Sequence, residues 1–146
     1  MDRVLVCCDD VFFRVNIEAR IREARLQPVA ASRLAEVEAQ MAPPEPGGTA
    51  GAAESRVRAA VVDLHALSGE AVRIITRLAA VQPGLPILAF GSHVERELLE
   101  SARRAGAIAM PRSRFVREYP EFMHKVGLGI PPAVSDPPSR AEGAPE

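Results

Sequence analysis

Acidic side chains directly follow two apolar runs of the chain. Asp9 and Asp10 come after the run 3–8 (RVLVCC), and Asp63 comes after the run 58–62 (RAAVV). If both runs are neighbouring strands of a parallel sheet, their carboxyl ends open on the same edge and the three carboxylates meet in one crevice. Clustered carboxylates repel each other, and Mg²⁺ is their usual partner, so all three are candidate metal ligands. The alternative is that these acids only cap strands and start helices.

Composition and charge exclude several classes of protein. The 146 residues suit one ordinary domain, and 18 basic against 19 acidic residues leave a net charge of −1. Binding of nucleic acid by this chain alone is therefore not expected, because it requires a sustained positive field. No apolar stretch approaches the roughly 20 residues of a membrane span, and no signal-peptide pattern opens the sequence, so we expect a cytoplasmic protein without membrane contact. Cys7 and Cys8, adjacent on a strand, are expected to be small buried side chains without a disulfide.

Hydrophobic periodicity predicts five strands that alternate with five helices. The predicted strands are 3–8, 27–31, 57–62, 85–91 and 107–110. The apolar helix stripes are Phe13, Ile17, Ile21 and Ala24, then residues 33–41, then Ala71, Ile74, Ile75 and Leu78, then Val94, Leu98, Ala102 and Ala105, and last Phe115, Tyr119, Phe122, Met123 and Val126. Gly106 is expected to end the fourth helix, and Pro120 to mark the first turn of the fifth after an irregular segment 113–118. This alternation of strands and helices predicts an α/β fold with a doubly wound, five-stranded parallel sheet and right-handed crossovers.

Two segments do not fit this alternation. Residues 43–55 are rich in Pro, Gly and Ala and carry no large apolar side chain, which predicts a flexible insert. Residues 129–146 are rich in proline and predict a disordered tail. The sequence is therefore divided into a domain over 1–128, which contains the insert, and a tail.

The order of these features resembles the receiver domain of two-component response regulators over roughly residues 3–127. The matching residues are the acid pair Asp9-Asp10, Asp63 after the third strand, and Ala105-Gly106 before the fifth strand. The resemblance implies a flavodoxin-like, three-layer α/β/α fold with strand order 2-1-3-4-5. It also implies that the acid pair holds Mg²⁺ and that Asp63 accepts a phosphoryl group from a partner kinase's phosphohistidine. An aspartate nucleophile needs such a cation to screen its charge against an anionic phosphoryl group.

The sequence departs from the family pattern at two positions of the site. Gly91 stands where the family has the Thr or Ser that ends the fourth strand, and Ser92 follows one position later. The segment 110–114 (MPRSR) replaces the family's Lys-Pro, so Arg112 or Arg114 would have to supply the positive charge. These departures are typical of an atypical or pseudo-receiver, with Ser92 and Arg112 as the candidate replacements.

The resemblance also implies how the protein works. We expect a stand-alone signalling module that is not an enzyme and that contacts a protein partner, either a histidine kinase or a downstream effector. In the family, helix four, strand five and helix five form the face for output or homodimer contacts. Val116, Tyr119 and Phe122 are expected near that face.

Other readings of the same residues stay open. A Mg²⁺-dependent phosphatase with an aspartate nucleophile would space its acids by one residue, whereas Asp9 and Asp10 are adjacent. The segment 63–69 (DLHALSG) is one residue longer than the Asp-x-His-x-x-Gly signature of cobalamin-binding domains and follows a different strand. Another small-ligand-binding flavodoxin-like domain is the remaining alternative. His65 and His93 follow strand ends, where they are either ligands or ordinary, partly exposed side chains.

Overall fold

The computed structural model describes residues 2–41, 56–65 and 69–130. Its strands and helices alternate along the chain. They are β1 (Arg3–Cys7), α1 (Val11–Glu23), β2 (Gln27–Ala30), α2 (Leu34–Met41), β3 (Val57–Asp63), α3 (Ala71–Val81), β4 (Ile87–Gly91), α4 (Arg96–Ala105), β5 (Ile108–Pro111) and α5 (Arg112–Leu128). The predicted insert 43–55 and all but the first two residues of the predicted tail lie outside the described residues.

All five strands pair in parallel, in the order β2-β1-β3-β4-β5. The predicted fold class and strand order are therefore confirmed. β1, β3 and β4 are almost continuous runs of buried apolar residues, as expected for strands that helices cover on both faces. β2, at the edge of the sheet, has no buried residue.

Two apolar cores lie on opposite faces of the sheet. One holds Leu5 and Cys7 from β1 together with buried side chains of α2, α3 and α4. The other holds Cys8 and Phe90 together with buried side chains of α1 and α5. Successive strand residues point to opposite faces, so the adjacent residues Cys7 and Cys8 enter different cores. Both thiols are free and buried, as predicted.

The start of the last helix differs from the prediction. α5 begins at Arg112, so residues 113–118 are helical and Pro120 lies inside the helix. Proline removes one helical hydrogen bond, to the carbonyl of Val116, and Val116 is on the exposed side of the helix where water can serve that carbonyl. Burial of the stripe that contains Phe115 and Met123 keeps the helix on the sheet despite the proline.

The fourth helix also starts later than its apolar stripe suggests. α4 begins at Arg96, and Val94 lies in the preceding loop with 72% of its surface exposed. Gly106 ends this helix with φ +117°, a left-handed conformation that glycine adopts without the steric penalty of a side chain. The predicted helix end is therefore confirmed.

The end of α1 packs closely against α5 at Gly127. A Cβ atom at this position would press on the carbonyl oxygen of Ala24 and would lie 3.0 Å from the Ala24 side chain. The absence of a side chain at Gly127 therefore permits the two helices to pack at this distance.

In the described part of the chain, none of the helices combines the length and apolar character needed to cross a membrane.

Candidate functional site

The register of the sheet places the candidate acceptor next to Cys8. Cys7 of β1 pairs with Val62 of β3, so the next residues along the two strands, Cys8 and Asp63, are neighbours at the carboxyl edge. Asp63 in turn pairs with Phe90 of β4. Residues in one row of a parallel sheet point to the same face, and Cys8 and Phe90 both belong to the core under α1 and α5.

The Asp63 side chain is buried and has a partner at each oxygen. Only 5% of the residue is exposed. Oδ1 accepts a hydrogen bond from the backbone N–H of His65 at 3.0 Å, and Oδ2 lies 3.8 Å from the Cys8 thiol, a weak donor. These contacts fix the carboxylate at the end of β3, where the sequence predicts the phosphoryl acceptor.

Asp10 lies on the other side of the same thiol and has two roles. Its Oδ1 accepts from the backbone N–H of Phe13 at 3.1 Å and so caps α1. Its Oδ2 lies 4.0 Å from Nη1 of Arg112, and its backbone oxygen lies 3.7 Å from the Cys8 sulfur. Asp10 therefore does cap a helix, which was the alternative explanation for the acids, and its other oxygen lies near the candidate site residue Arg112.

Burial raises the pKa of the Cys8 thiol to about 11, and the negative charges of Asp63 and Asp10 act in the same direction. A hydrogen bond with the backbone of Asp10 and the charge of Arg112 act in the opposite direction. Cys8 is therefore a neutral thiol that contacts the Asp63 carboxylate, and the charge of Asp10 is close enough to contribute to its raised pKa.

Asp9 acts on the other thiol. Burial is the main reason why the pKa of Cys7 rises to about 12, and the nearby charges of Cys8, Asp9 and Glu36 add to the effect. Cys7 lies in the core opposite that of Cys8. The grouping of Asp9 with Asp10 and Asp63 therefore stays a prediction.

The site was predicted to hold Mg²⁺, and its donor chemistry fits that ion. Carboxylate oxygens are the ligands that Mg²⁺ prefers, and Asp10 and Asp63 follow two neighbouring parallel strands, β1 and β3, at the same edge of the sheet. In the arrangement described for residues 2–41, 56–65 and 69–130, however, no three His, Cys, Asp or Glu side chains form a group that could hold a metal ion. One oxygen of Asp10 is engaged in capping a helix, and the other lies near a guanidinium.

Arg112 is held in place by aromatic rings. Its Cζ lies 4.5 Å from the ring centroid of Phe13 and 5.4 Å from that of Phe90. These rings continue into a stack in which Phe90 and Phe115 are 4.3 Å apart, and Phe115 and Tyr119 are 4.8 Å apart. A cation above ring faces is attracted by their negative potential, so Arg112 presents a fixed positive charge to Asp10.

A side chain at the end of β4, where the family has a hydroxyl, would be in tight contact with Leu64. A Cβ atom on Gly91 would lie 3.3 Å from Cδ1 of Leu64, which is itself buried. Ser92 is one position further, and its Oγ accepts from the backbone N–H of Val94 at 3.3 Å. Leu64 thus fills the space next to Asp63, and the Ser92 hydroxyl is engaged in its own loop.

The predicted contact residues on α5 are mostly not at the surface. Tyr119 and Phe122 are buried in the core between α5 and the sheet, because they share the inward stripe of the helix with Phe115. Of the three predicted residues only Val116 is exposed, at 47%.

Five of the eight exposed large apolar side chains among the described residues lie at or near the helix starts at the carboxyl edge of the sheet. Helices that follow parallel strands begin at this edge. Phe12, 86% exposed, lies in the first turn of α1 with Val11, and Val15 lies in the next turn. Val94 precedes α4, and Val116 lies in the second turn of α5. We call these five residues the apolar rim.

Sequence reasoning missed two members of the site. Cys8 was treated only as a small buried residue, although the register of β1 against β3 makes it the neighbour of Asp63. The cluster of Phe13, Phe90 and Phe115 that holds Arg112 was also missed, because it joins three segments that are far apart in the sequence.

Comparisons with known proteins agree on the architecture. No protein-family model matches the chain, and no curated protein matches it in sequence. Among solved structures, a response regulator receiver domain protein from Methanospirillum hungatei has 13% identity and a TM-score of 0.63, covering 88% of this chain and 98% of its own. A receiver domain protein from Clostridium thermocellum has 12% identity and a TM-score of 0.65, covering 88% and 96%. The receiver domain of NtrX from Brucella abortus has 18% identity and a TM-score of 0.60, covering 84% and 98%. The chain therefore has the fold of a response regulator receiver domain.

Proposed function

We propose that this protein is an atypical receiver-like signalling module of the cytoplasm that accepts a phosphoryl group on Asp63 and acts through contacts with other proteins rather than as an enzyme. The observation that carries the proposal is the position of Asp63 on this fold. It ends the central strand β3, with its buried carboxylate 3.8 Å from the Cys8 thiol, and the backbone oxygen of Asp10 contacts the same sulfur.

In the proposed transfer, an Asp63 oxygen attacks the phosphorus of a phosphohistidine or a small phosphoryl donor. The bond from phosphorus to the donor breaks, and the product is an acyl phosphate. Asp9, Asp10 and Asp63 would hold Mg²⁺, which would screen the negative charges of the carboxylates and the phosphoryl group. Arg112, fixed on Phe13 and Phe90, adds a permanent positive charge on the Asp10 side.

The output of the module is proposed to be atypical. Position 91 itself carries no hydroxyl, and a side chain there would be in tight contact with Leu64. Ser92 is the candidate replacement; its Oγ accepts from the backbone N–H of Val94, and its O–H can still donate. The apolar rim lies at the same edge as Asp63, so we propose that a histidine kinase or an effector docks there. A homodimer through α4, β5 and α5 is the second form of contact that we propose.

The test is incubation with Mg²⁺ and acetyl phosphate, followed by measurement of the intact mass. We expect the wild type to gain the mass of one phosphoryl group and Asp63→Asn to gain nothing. Asp2→Asn is the matched control, because it removes a carboxylate from the opposite edge of the sheet, where Asp2 pairs with Arg58 at 2.6 Å. A wild type that gains no mass, or an equal gain in the Asp63→Asn variant, would overturn the acceptor role.

A further inference from the structure

A cavity of about 780 Å³ opens at the carboxyl edge beside the acid site. It is lined by His65, Gly91, Ser92, His93, Pro111, Arg112, Ser113 and Val116, which come from the ends of β3, β4 and β5 and from the start of α5. In open α/β sheets, ligands bind in crevices at this edge. The volume lies within the range of small-molecule pockets and is much larger than a single phosphate group needs.

The lining combines polar and basic side chains with apolar ones. It contains one guanidinium, two imidazoles and two hydroxyl groups but no carboxylate. Pro111 and Val116 form an apolar wall. None of the three acids of the candidate site lines the cavity, but Ser92 and Arg112 do, and the lining residue His65 donates to Asp63. The cavity therefore adjoins the place of the proposed phosphoryl transfer.

Three carboxylates contact residues of the lining without lining the cavity themselves. Oδ1 of Asp63 accepts a hydrogen bond from the backbone N–H of His65 at 3.0 Å. Glu95 forms an ion pair with Nε2 of His65, and Asp10 lies 4.0 Å from Nη1 of Arg112. A guanidinium has five N–H donors, and Asp10 is close to only one of its terminal nitrogens. The rings of Phe13 and Phe90 hold Arg112 in position, which lowers the entropic cost of binding an anion.

The first turn of α5 adds to the positive character of the cavity. Pro111 precedes the helix without a side-chain cap, and the first turn contains no acidic residue. Arg112 and Ser113 of this turn both line the cavity. Helix N-termini favour negative charge. Asp10, 4.0 Å from Arg112, supplies part of that charge from outside the helix, and an anion in the cavity would add to it.

From this geometry we infer that the cavity binds a small organic anion, namely a phosphate or carboxylate group carried on an apolar body. Arg112 and the start of α5 hold the anionic group, and Pro111 and Val116 pack against the body. The site does not depend on the phosphorylation of Asp63.

The experiment is a titration of the ¹⁵N-labelled full chain, followed by amide chemical shifts, with four probes. Phenyl phosphate and benzoate carry an anion on a ring, inorganic phosphate is the anion alone, and phenol is the uncharged body. We expect saturable shifts at Gly91, Ser92, His93, Ser113 and Val116 with phenyl phosphate or benzoate. The preferred probe should bind at least about tenfold more tightly than inorganic phosphate or phenol. Inorganic phosphate lacks the apolar body, and phenol lacks the anionic group.

Variants then assign the contacts. Arg112→Gln should weaken binding at least about tenfold, since a charged hydrogen-bonding partner is lost. Ser113→Asp should also weaken binding at least about tenfold, because the new carboxylate repels the anionic probe. An acidic residue is favourable in the first turn of a helix, so this variant should still fold. Arg117→Gln, an exposed arginine on the same helix, is the matched control and should bind as the wild type does.

Asp63→Asn separates this inference from the proposed function. It removes the acceptor and should leave binding in the cavity unchanged. The inference fails if neither organic anion gives saturable shifts, if inorganic phosphate binds as tightly as the organic probes, or if Arg112→Gln and Ser113→Asp both bind like the wild type.

Discussion

The Cys8 thiol lies 3.8 Å from Oδ2 of the buried Asp63 carboxylate, in the same row of the sheet. This contact makes the thiol harder to ionise. Burial comes first among the causes that raise the pKa of Cys8 to about 11, and burial also raises that of Cys7 to about 12, from an ordinary value of 9.0.

The two thiols should make the fold sensitive to alkali. Below pH 9 they are neutral in both states, so they cause no pH dependence. Above pH 9.0 the unfolded chain loses their protons while the folded chain keeps them up to about pH 11 and 12. The free energy of unfolding should therefore fall by about 1.4 kcal/mol per pH unit for each thiol in this window.

Urea unfolding followed by circular dichroism from pH 8 to pH 11 would measure this slope. The Cys7→Ala/Cys8→Ala variant is the control and should show a flatter profile, even though its stability is lower throughout. Few other side chains titrate between pH 8 and pH 11, because the chain has only one tyrosine and one lysine. Parallel profiles for the variant and the wild type would contradict the prediction.

Phe12 and Phe13 are adjacent but should respond differently to truncation. Phe12→Ala removes a ring that is 86% exposed, so the free energy of unfolding should change by less than about 0.5 kcal/mol. Phe13→Ala removes contacts with Phe90 and Phe115 at ring separations of 5.1 and 5.7 Å, and should cost about 2 kcal/mol because the ring is partly buried. Urea midpoints of the two variants would compare them directly, and equal losses would contradict this account of α1.

Gly127→Ala should destabilise the protein although alanine favours helices. The gain in helix propensity is about 1 kcal/mol, but the new methyl group presses on a backbone oxygen of Ala24, which cannot rotate away. We expect a net loss of about 1 to 2 kcal/mol, measured by thermal unfolding. Leu128→Ala, at an exposed neighbouring position, should be nearly neutral, and a stabilised Gly127→Ala variant would show that α1 and α5 separate at low cost.

Removal of Arg112 should strengthen the binding of Mg²⁺. The guanidinium competes with a metal ion for Oδ2 of Asp10, but both side chains are about half exposed, so their interaction is weak. Arg112→Gln should therefore raise the affinity for Mg²⁺ by about two- to fivefold, as measured by calorimetric titration. Arg117→Gln should leave the affinity unchanged, and a weaker affinity in Arg112→Gln would show that the arginine supports the metal site.

The fold was predictable because each element carries its own local pattern. The runs in β1, β3 and β4 and the stripe of Ile74 and Leu78 in α3 are each visible within a few residues. The start of α5 was not predictable in this way, because the helix continues through Pro120 only by virtue of what its buried face packs against.

The candidate site was predictable only in part for the same reason. The place of Asp63 follows from the end of one strand, whereas its contact with Cys8 depends on how two strands are aligned. The burial of Tyr119 and Phe122 depends on the side of α5 that meets the sheet, and family resemblance alone placed them near the surface.

Asp10 has one oxygen on the N–H of Phe13 and the other near Arg112. A cation that draws this carboxylate toward itself must also loosen the first turn of α1, which carries the exposed Phe12 ring. Through Asp10, the binding of a cation at the carboxyl edge of the sheet is thus linked to the conformation of the first turn of α1. This linkage would pass a chemical event to a docked protein without any movable hydroxyl on β4.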